Sequence, residues 1–187
     1  MPASTPWKLA VSGGVGIVAG AALLSVDWTL APLAAFVGLA LVARGALHLV
    51  SAASFVGFGG AFAVLEVAGD VGVGITALVW PEPTRLSLAL LVGLWAIVRA
   101  VAGGTIAVTT RADRPWWLLF LVVAVAAGGL GVVLIARSNG SVRGTAVTIG
   151  LVLLLEGMRE VSEAALRERQ QRRLGRAAHT HAPAAAS

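Results

Sequence analysis

Six apolar runs, at about 8–26, 30–54, 58–80, 86–108, 116–136 and 144–162, take up most of this chain. Each is about 20 residues, the length at which an α-helix crosses a hydrocarbon core of roughly 30 Å. Inside lipid a backbone must satisfy its own hydrogen bonds, so only helices and closed barrels span a bilayer. These runs are continuous rather than alternating and about twice as long as a barrel strand needs, which selects helices. The expected class is therefore an all-α membrane protein with six transmembrane helices. Composition agrees: 58% of residues are hydrophobic and 12% charged, with a mean hydropathy of +0.89, against about 25% charged in an ordinary soluble domain. No cleaved signal peptide is expected, because the first run is long, has one flanking Lys8 and leads directly into the second.

A second pattern divides the six runs into three units. In each even-numbered run a glycine is followed six residues later by a charge: Gly38 and Arg44, Gly93 and Arg99, Gly150 and Glu156. The steps of 55 and 57 residues mark an internal repeat. Short connections at Asp27–Thr29, Pro81–Thr84 and Ser138–Ser141 are rich in turn-forming residues. They imply three repeated antiparallel helical hairpins, at about 7–55, 58–109 and 115–166, in one transmembrane domain over 1–166. Lys8, Arg111, Arg114 and the block Arg167, Arg169, Arg172, Arg173 and Arg176 lie on one side. The excess of basic residues there places both termini in the cytoplasm, in a multi-pass protein of the inner (plasma) membrane. Trp7, Trp28, Trp80, Trp116 and Trp117 fall at span ends as interfacial anchors, while Trp95 lies within a span.

Glycines crowd the first helix of each hairpin. Gly13, Gly16 and Gly20, then Gly69 and Gly72, then Gly128 and Gly131 stand at spacings that let helix backbones approach closely. In lipid such approach substitutes for a hydrophobic drive between helices, so these residues are expected to pack helices within the bundle or between copies in a homo-oligomer.

Ionisable groups inside a span are costly and need a reason. Counting inward at ~1.5 Å per residue puts Arg44 and Arg99 about 22 Å deep, Glu66 about 21 Å and Glu156 about 20 Å. Asp70 stands one turn from Glu66, and His48 one turn from Arg44. Arg44, His48, Glu66, Asp70, Arg99 and Glu156 are thus expected to form one intramembrane charge cluster. Its first reading is a lock that pairs helices and fixes their register; its second is a proton- or ion-responsive site.

The polar tail, 167–187, continues the sixth helix as a basic amphipathic extension suited to anionic lipid headgroups, and its Ala- and Pro-rich end from His179 reads as disordered. The arginines lack the aromatic interleaving of a nucleic-acid surface. His179 and His181 have no third ligand, so no metal site is expected. Cysteine is absent, which excludes thiol chemistry. There is no phosphate-binding loop, no paired metal motif and no nucleophile–base arrangement. Ser12, Ser25, Thr76 and Thr105 read as helix hydroxyls bonded to the preceding turn. Neither catalysis nor a cofactor is expected.

The segment Trp80-Pro81-Glu82-Pro83-Thr84, Leu86 to Gly93, and Trp95-Ala96-Ile97-Val98-Arg99 resembles the middle hairpin of HdeD-type acid-resistance membrane proteins. The resemblance extends over about 8–165 in its six-span layout, short outer turns and Gly-rich hairpins. It implies a non-enzymatic role in acid or general stress tolerance, carried out by a helix-bundle or oligomer scaffold. The alternatives are a small proton-responsive transporter or channel that uses the intramembrane charges, and an assembly subunit that recruits a partner through its basic tail.

Overall fold

The computed structural model describes residues 6–52, 58–80, 83–112 and 116–180. They form six helices: α1 (Pro6–Ser25), α2 (Leu30–Ala52), α3 (Phe58–Val79), α4 (Arg85–Thr109), α5 (Trp117–Ala136) and α6 (Val142–Thr180). By length and composition, α1, α2, α4 and α5 can cross a membrane. The six-span expectation is met to that extent. The other two, α3 and α6, are the helices that bear Glu66, Asp70, Glu156 and Glu160.

Local chemistry sets the helix ends. Thr84 caps α4 in an extended conformation: its Oγ1 accepts from Ser87 N at 3.0 Å, and Ser87 Oγ accepts from Thr84 N at 2.9 Å. This reciprocal pair satisfies two N–H groups that the first turn leaves free. At the start of α6, Ser141 Oγ accepts from Gly144 N at 3.0 Å. Within the helices, Thr76, Thr105 and Thr148 donate to the carbonyl four residues earlier at 2.8 Å, and Ser25 donates to Ala22 O at 3.3 Å. Ser12 differs: it is buried and its hydroxyl has no hydrogen-bond partner among the described residues.

The closest helix pairs differ from the expected hairpins. Packing is most extensive between α2 and α3, between α4 and α5, and between α6 and α1, while α1–α2, α5–α6 and α3–α4 touch less. Glycine explains the choice. A methyl group added at Gly38 would lie 2.7 Å from Gly74 O, and one at Gly74 would lie 2.8 Å from Gly38 O. Gly93 and Gly131 stand in the same reciprocal relation at 2.9 and 2.8 Å, as do Gly20 and Gly150 at 2.6 and 3.0 Å. The repeated glycines of the even helices are therefore met by glycines of the odd ones, and the bundle has three-fold pseudosymmetry with the pairs shifted by one helix.

Of the other expected packing glycines, Gly13 and Gly16 approach Gly157 and Leu153 and Gly128 approaches Ala100 along the same seams, while Gly69 meets the Trp95 indole across α3–α4. Gly72 differs from these: a methyl there meets nothing within 4 Å in the single chain. It lies two residues from Gly74, about 200° around the helix, and so faces away from α2.

The even helices supply most of the core. Leu33, Val37 and Leu41 of α2, Leu88, Val92 and Trp95 of α4, and Ile149, Val152 and Leu153 of α6 are buried together, joined by Leu23 of α1 and Leu134 of α5. At the end opposite the termini, Arg143 bonds to Asp27, and Arg85 donates to Gly140 O, tying the short connections together. At the other end α6 continues as a 39-residue helix, roughly 58 Å long. Its extension carries the ion pairs Glu163–Arg167 and Glu168–Arg172, each 2.6 Å. The helix runs through His179 and Thr180, past the point where disorder is expected. Residues 1–5, Pro81, Glu82, Arg114 and 181–187 with His181, named in the sequence reading, lie outside the described residues.

Candidate functional site: a buried charge cluster

The offset of six residues from each repeated glycine turns Arg44, Arg99 and Glu156 toward the centre of the bundle. A second offset, of ten residues, places His48, Gly103 and Glu160 one turn further along the same faces. The odd helices contribute through α3 alone. Four residues before their pairing glycines stand Asp70 in α3, Ala127 in α5 and Gly16 in α1. The carboxylates of α3 therefore lie on one side of a ring whose other two sides are apolar.

Arg99 is the hub. Its Nε donates to Glu156 Oε2 at 3.0 Å, Nη1 to Asp70 Oδ1 at 3.2 Å and Nη2 to Glu160 Oε1 at 2.9 Å, and Nη2 also lies 3.2 Å from Glu66 Oε1. All three nitrogens of the guanidinium fork are engaged, with carboxylates from two helices. A lysine, with one nitrogen, could not reproduce this. The guanidinium also lies 5.4 Å from the centre of the Trp95 ring, within cation–π range. Arg44, fully buried, pairs with Glu160. Arg159 bridges Glu156 at 3.0 Å and Glu66 at 3.3 Å.

His48 sits among carboxylates on both sides. Its Nδ1 is 3.7 Å from Glu66 and 3.9 Å from Asp70, and its Nε2 is 3.4 Å from Glu160. A neutral imidazole has one donor and one acceptor, and an ionised carboxylate only accepts. With the ring neutral, one nitrogen lone pair faces a carboxylate oxygen. Neither ring nitrogen, nor Asp70 Oδ2, nor Glu160 Oε2 has a hydrogen-bond partner among the described residues.

The formal charges do not balance. Among the described residues, the groups around the hub include three arginines (Arg44, Arg99, Arg159). Against them stand four carboxylates: Glu66, Asp70, Glu156 and Glu160. With His48 neutral the network is one positive charge short. Burial raises the stakes: Arg44 and Asp70 are 0% exposed and Glu160 1%, while Glu66, at 15%, is the most open carboxylate touching the hub.

All six residues expected in the cluster meet here. Sequence reasoning left out Glu160 and Arg159. The signal for Glu160 was present, since it follows Gly150 by the ten residues that separate His48 from Gly38. Arg159 has no counterpart in the other units. Among the described residues no group of histidines and carboxylates is arranged to hold a metal ion.

Residues 68–136, less than half of the chain, match the model of a family described as a short repeat of unknown function, DUF308, the domain found in HdeD-type membrane proteins. The matched stretch runs from the inner part of α3 through α4 to the end of α5. It contains Asp70, Arg99 and the α4–α5 glycine pair. No curated protein and no solved structure matches the chain.

Proposed function

We propose that this chain is a non-enzymatic, multi-pass inner-membrane protein of HdeD type, with both termini in the cytoplasm, that contributes to acid or general stress tolerance as a helix-bundle scaffold. The observation that carries this reading is Arg99, whose three nitrogens are all taken by carboxylates of α3 and α6. A guanidinium so occupied holds three helices in one register, as buried ionic groups do when they specify an arrangement rather than add stability. The outward-facing Gly72 and Gly129 suit self-association into a homo-oligomer, and the basic end of α6 suits anionic headgroups. A chromosomal deletion tests the role: survival after mild acid challenge should fall across several pH values and return with the wild-type gene. Unchanged survival and growth would sink it.

A second reading is a small proton-responsive transporter or channel. It is favoured by the missing positive charge and by His48, which has carboxylates facing both ring nitrogens. Purified protein in lipid vesicles should then pass protons under an imposed gradient, and His48→Phe should abolish the flux. Vesicles that hold every gradient of protons, small ions and weak acids remove this reading.

A further inference from the structure

The three glycine pairs close three seams, and looser contacts lie between them. Of these, α1–α2, α5–α6 and α3–α4, the last is the loosest. The gap is a cleft of about 270 Å³ walled by Leu65, Leu91, Leu94 and Val98, and it reaches Glu66 and Arg99. Leu65, Leu94 and Val98 are exposed on the outer surface of the bundle, so the cleft opens sideways, toward what would be lipid. Gly69 and Trp95 both line it, and a methyl at Gly69 would stand 3.2 Å from the indole.

Two independent features thus coincide. One is an apolar pocket just under the roughly 300 Å³ at which small-ligand sites begin. The other is the network's deficit of one positive charge, with its most open carboxylate where the pocket ends. We propose that the α3–α4 cleft binds a small hydrophobic monocation, an amine or quaternary ammonium with an apolar tail, which enters from the lipid phase and sets its charge beside Glu66. This rests on the proton-responsive reading and names a ligand class for the same site. A monocation restores neutrality. A carboxylate ligand would double the deficit, and a neutral one would leave it unchanged.

The ligand and a proton are alternatives. His48 is the group placed to take the proton: Glu66 and Asp70 face it from α3 and Glu160 from α6, with Arg44 on its own helix and Arg99 of α4 sharing those carboxylates. Once His48 is protonated, the network no longer lacks a positive charge, so acidification should displace the cation.

Calorimetric titration of the full chain in an uncharged detergent tests this with three eight-carbon probes: octyltrimethylammonium, octanol and octanoate. The ammonium should bind at least tenfold more tightly than octanol, with octanoate weakest, and lowering the pH should weaken the ammonium alone. Glu66→Gln should erase its advantage over octanol. Ala102→Leu, which narrows the cleft without touching a charge, should weaken the ammonium and octanol alike, and it keeps the test open if Glu66→Gln does not fold. Equal binding of the ammonium and octanol by the wild-type chain, or tightest binding of octanoate, overturns the inference. If vesicles still conduct protons in that case, the proton-responsive reading stands without this ligand; if they do not, both fall.

Discussion

The three glycine seams and the charge cluster lie on the same helices and follow opposite rules. At the seams the repeat is kept: Gly38 with Gly74, Gly93 with Gly131 and Gly150 with Gly20 make the same reciprocal approach. In the cluster the repeat is broken, since offset six gives Arg, Arg and Glu and offset ten gives His, Gly and Glu. Uniformity is what packing needs, because each seam solves the same problem of bringing two backbones together in lipid. Difference is what a charge site needs, because three identical charges on an axis would repel. The repeat therefore builds the bundle, and its departures build the site.

The sharpest way to break this comparison is to remove the hub. Arg99→Met leaves Glu66, Asp70, Glu156 and Glu160 without their shared partner. Removing one side of a buried ionic pair typically costs about 3–5 kcal/mol, so the variant is expected to lose most of its monodisperse yield in mild detergent. Arg99→Lys should recover only part of it, since a compact ammonium cannot span the carboxylates that the planar guanidinium fork reaches. A fully stable Arg99→Met would mean that the cluster does not hold the helices together.

The seams come next. Gly38→Leu, Gly93→Leu and Gly150→Leu each drive a side chain against a carbonyl at 2.7–3.0 Å, and overpacking of this kind costs about 1–3 kcal/mol each. The three melting temperatures should fall by similar amounts. Gly72→Leu is the control: with nothing within 4 Å of the new Cβ, its effect should stay within about 0.5 kcal/mol. Unequal losses at the three seams would show that the pseudosymmetry is geometric without being energetic.

How much of this was legible in the sequence depends on the range of the interaction. The helices could be read because their length and apolar continuity are local, and the depth of Arg44, Arg99 and Glu156 because it follows from equal spacing in helices that run the same way. The pairing of helices could not. Short connections imply hairpins across Asp27–Thr29 and Ser138–Ser141 but do not rank the contacts, and the most extensive one joins α6 to α1 from the other end of the chain. Glycine positions on both partners decide that, and a list of glycines does not say which of them face each other. Gly72 and Gly74 illustrate the limit: two residues apart, one lies in a seam and the other faces open space. Glu160 was missed because a carboxylate near the end of an apolar run reads as solvated until a buried arginine from another helix is placed beside it.

A smaller effect is expected at the start of α4, where the fold depends on a local device rather than on either half of the comparison. Thr84→Ala removes the acceptor for Ser87 N, and loss of an N-cap side chain costs about 1 kcal/mol. The melting temperature should drop slightly, and Thr84→Ser should restore it. A loss as large as that of a seam glycine would place the α3–α4 turn among the main determinants of the bundle.

The smallest effect is expected where a charge pair lies outside the cluster. Arg143 and Asp27 join α6 to the α1–α2 connection, but their side chains are 58% and 89% exposed, and exposed pairs contribute about 0–1 kcal/mol. Asp27→Asn should therefore change stability by no more than about 0.5 kcal/mol, and added salt should reduce even that difference. The same neutralisation at Asp70, 0% exposed and bonded to the hub at 3.2 Å, should cost several times more and respond little to salt, since buried pairs are poorly screened. Melting curves of the two variants at low and high salt therefore compare one chemical change in two environments. Equal losses at Asp27 and Asp70 would mean that water reaches the cluster freely, and that its charges are solvated rather than locked.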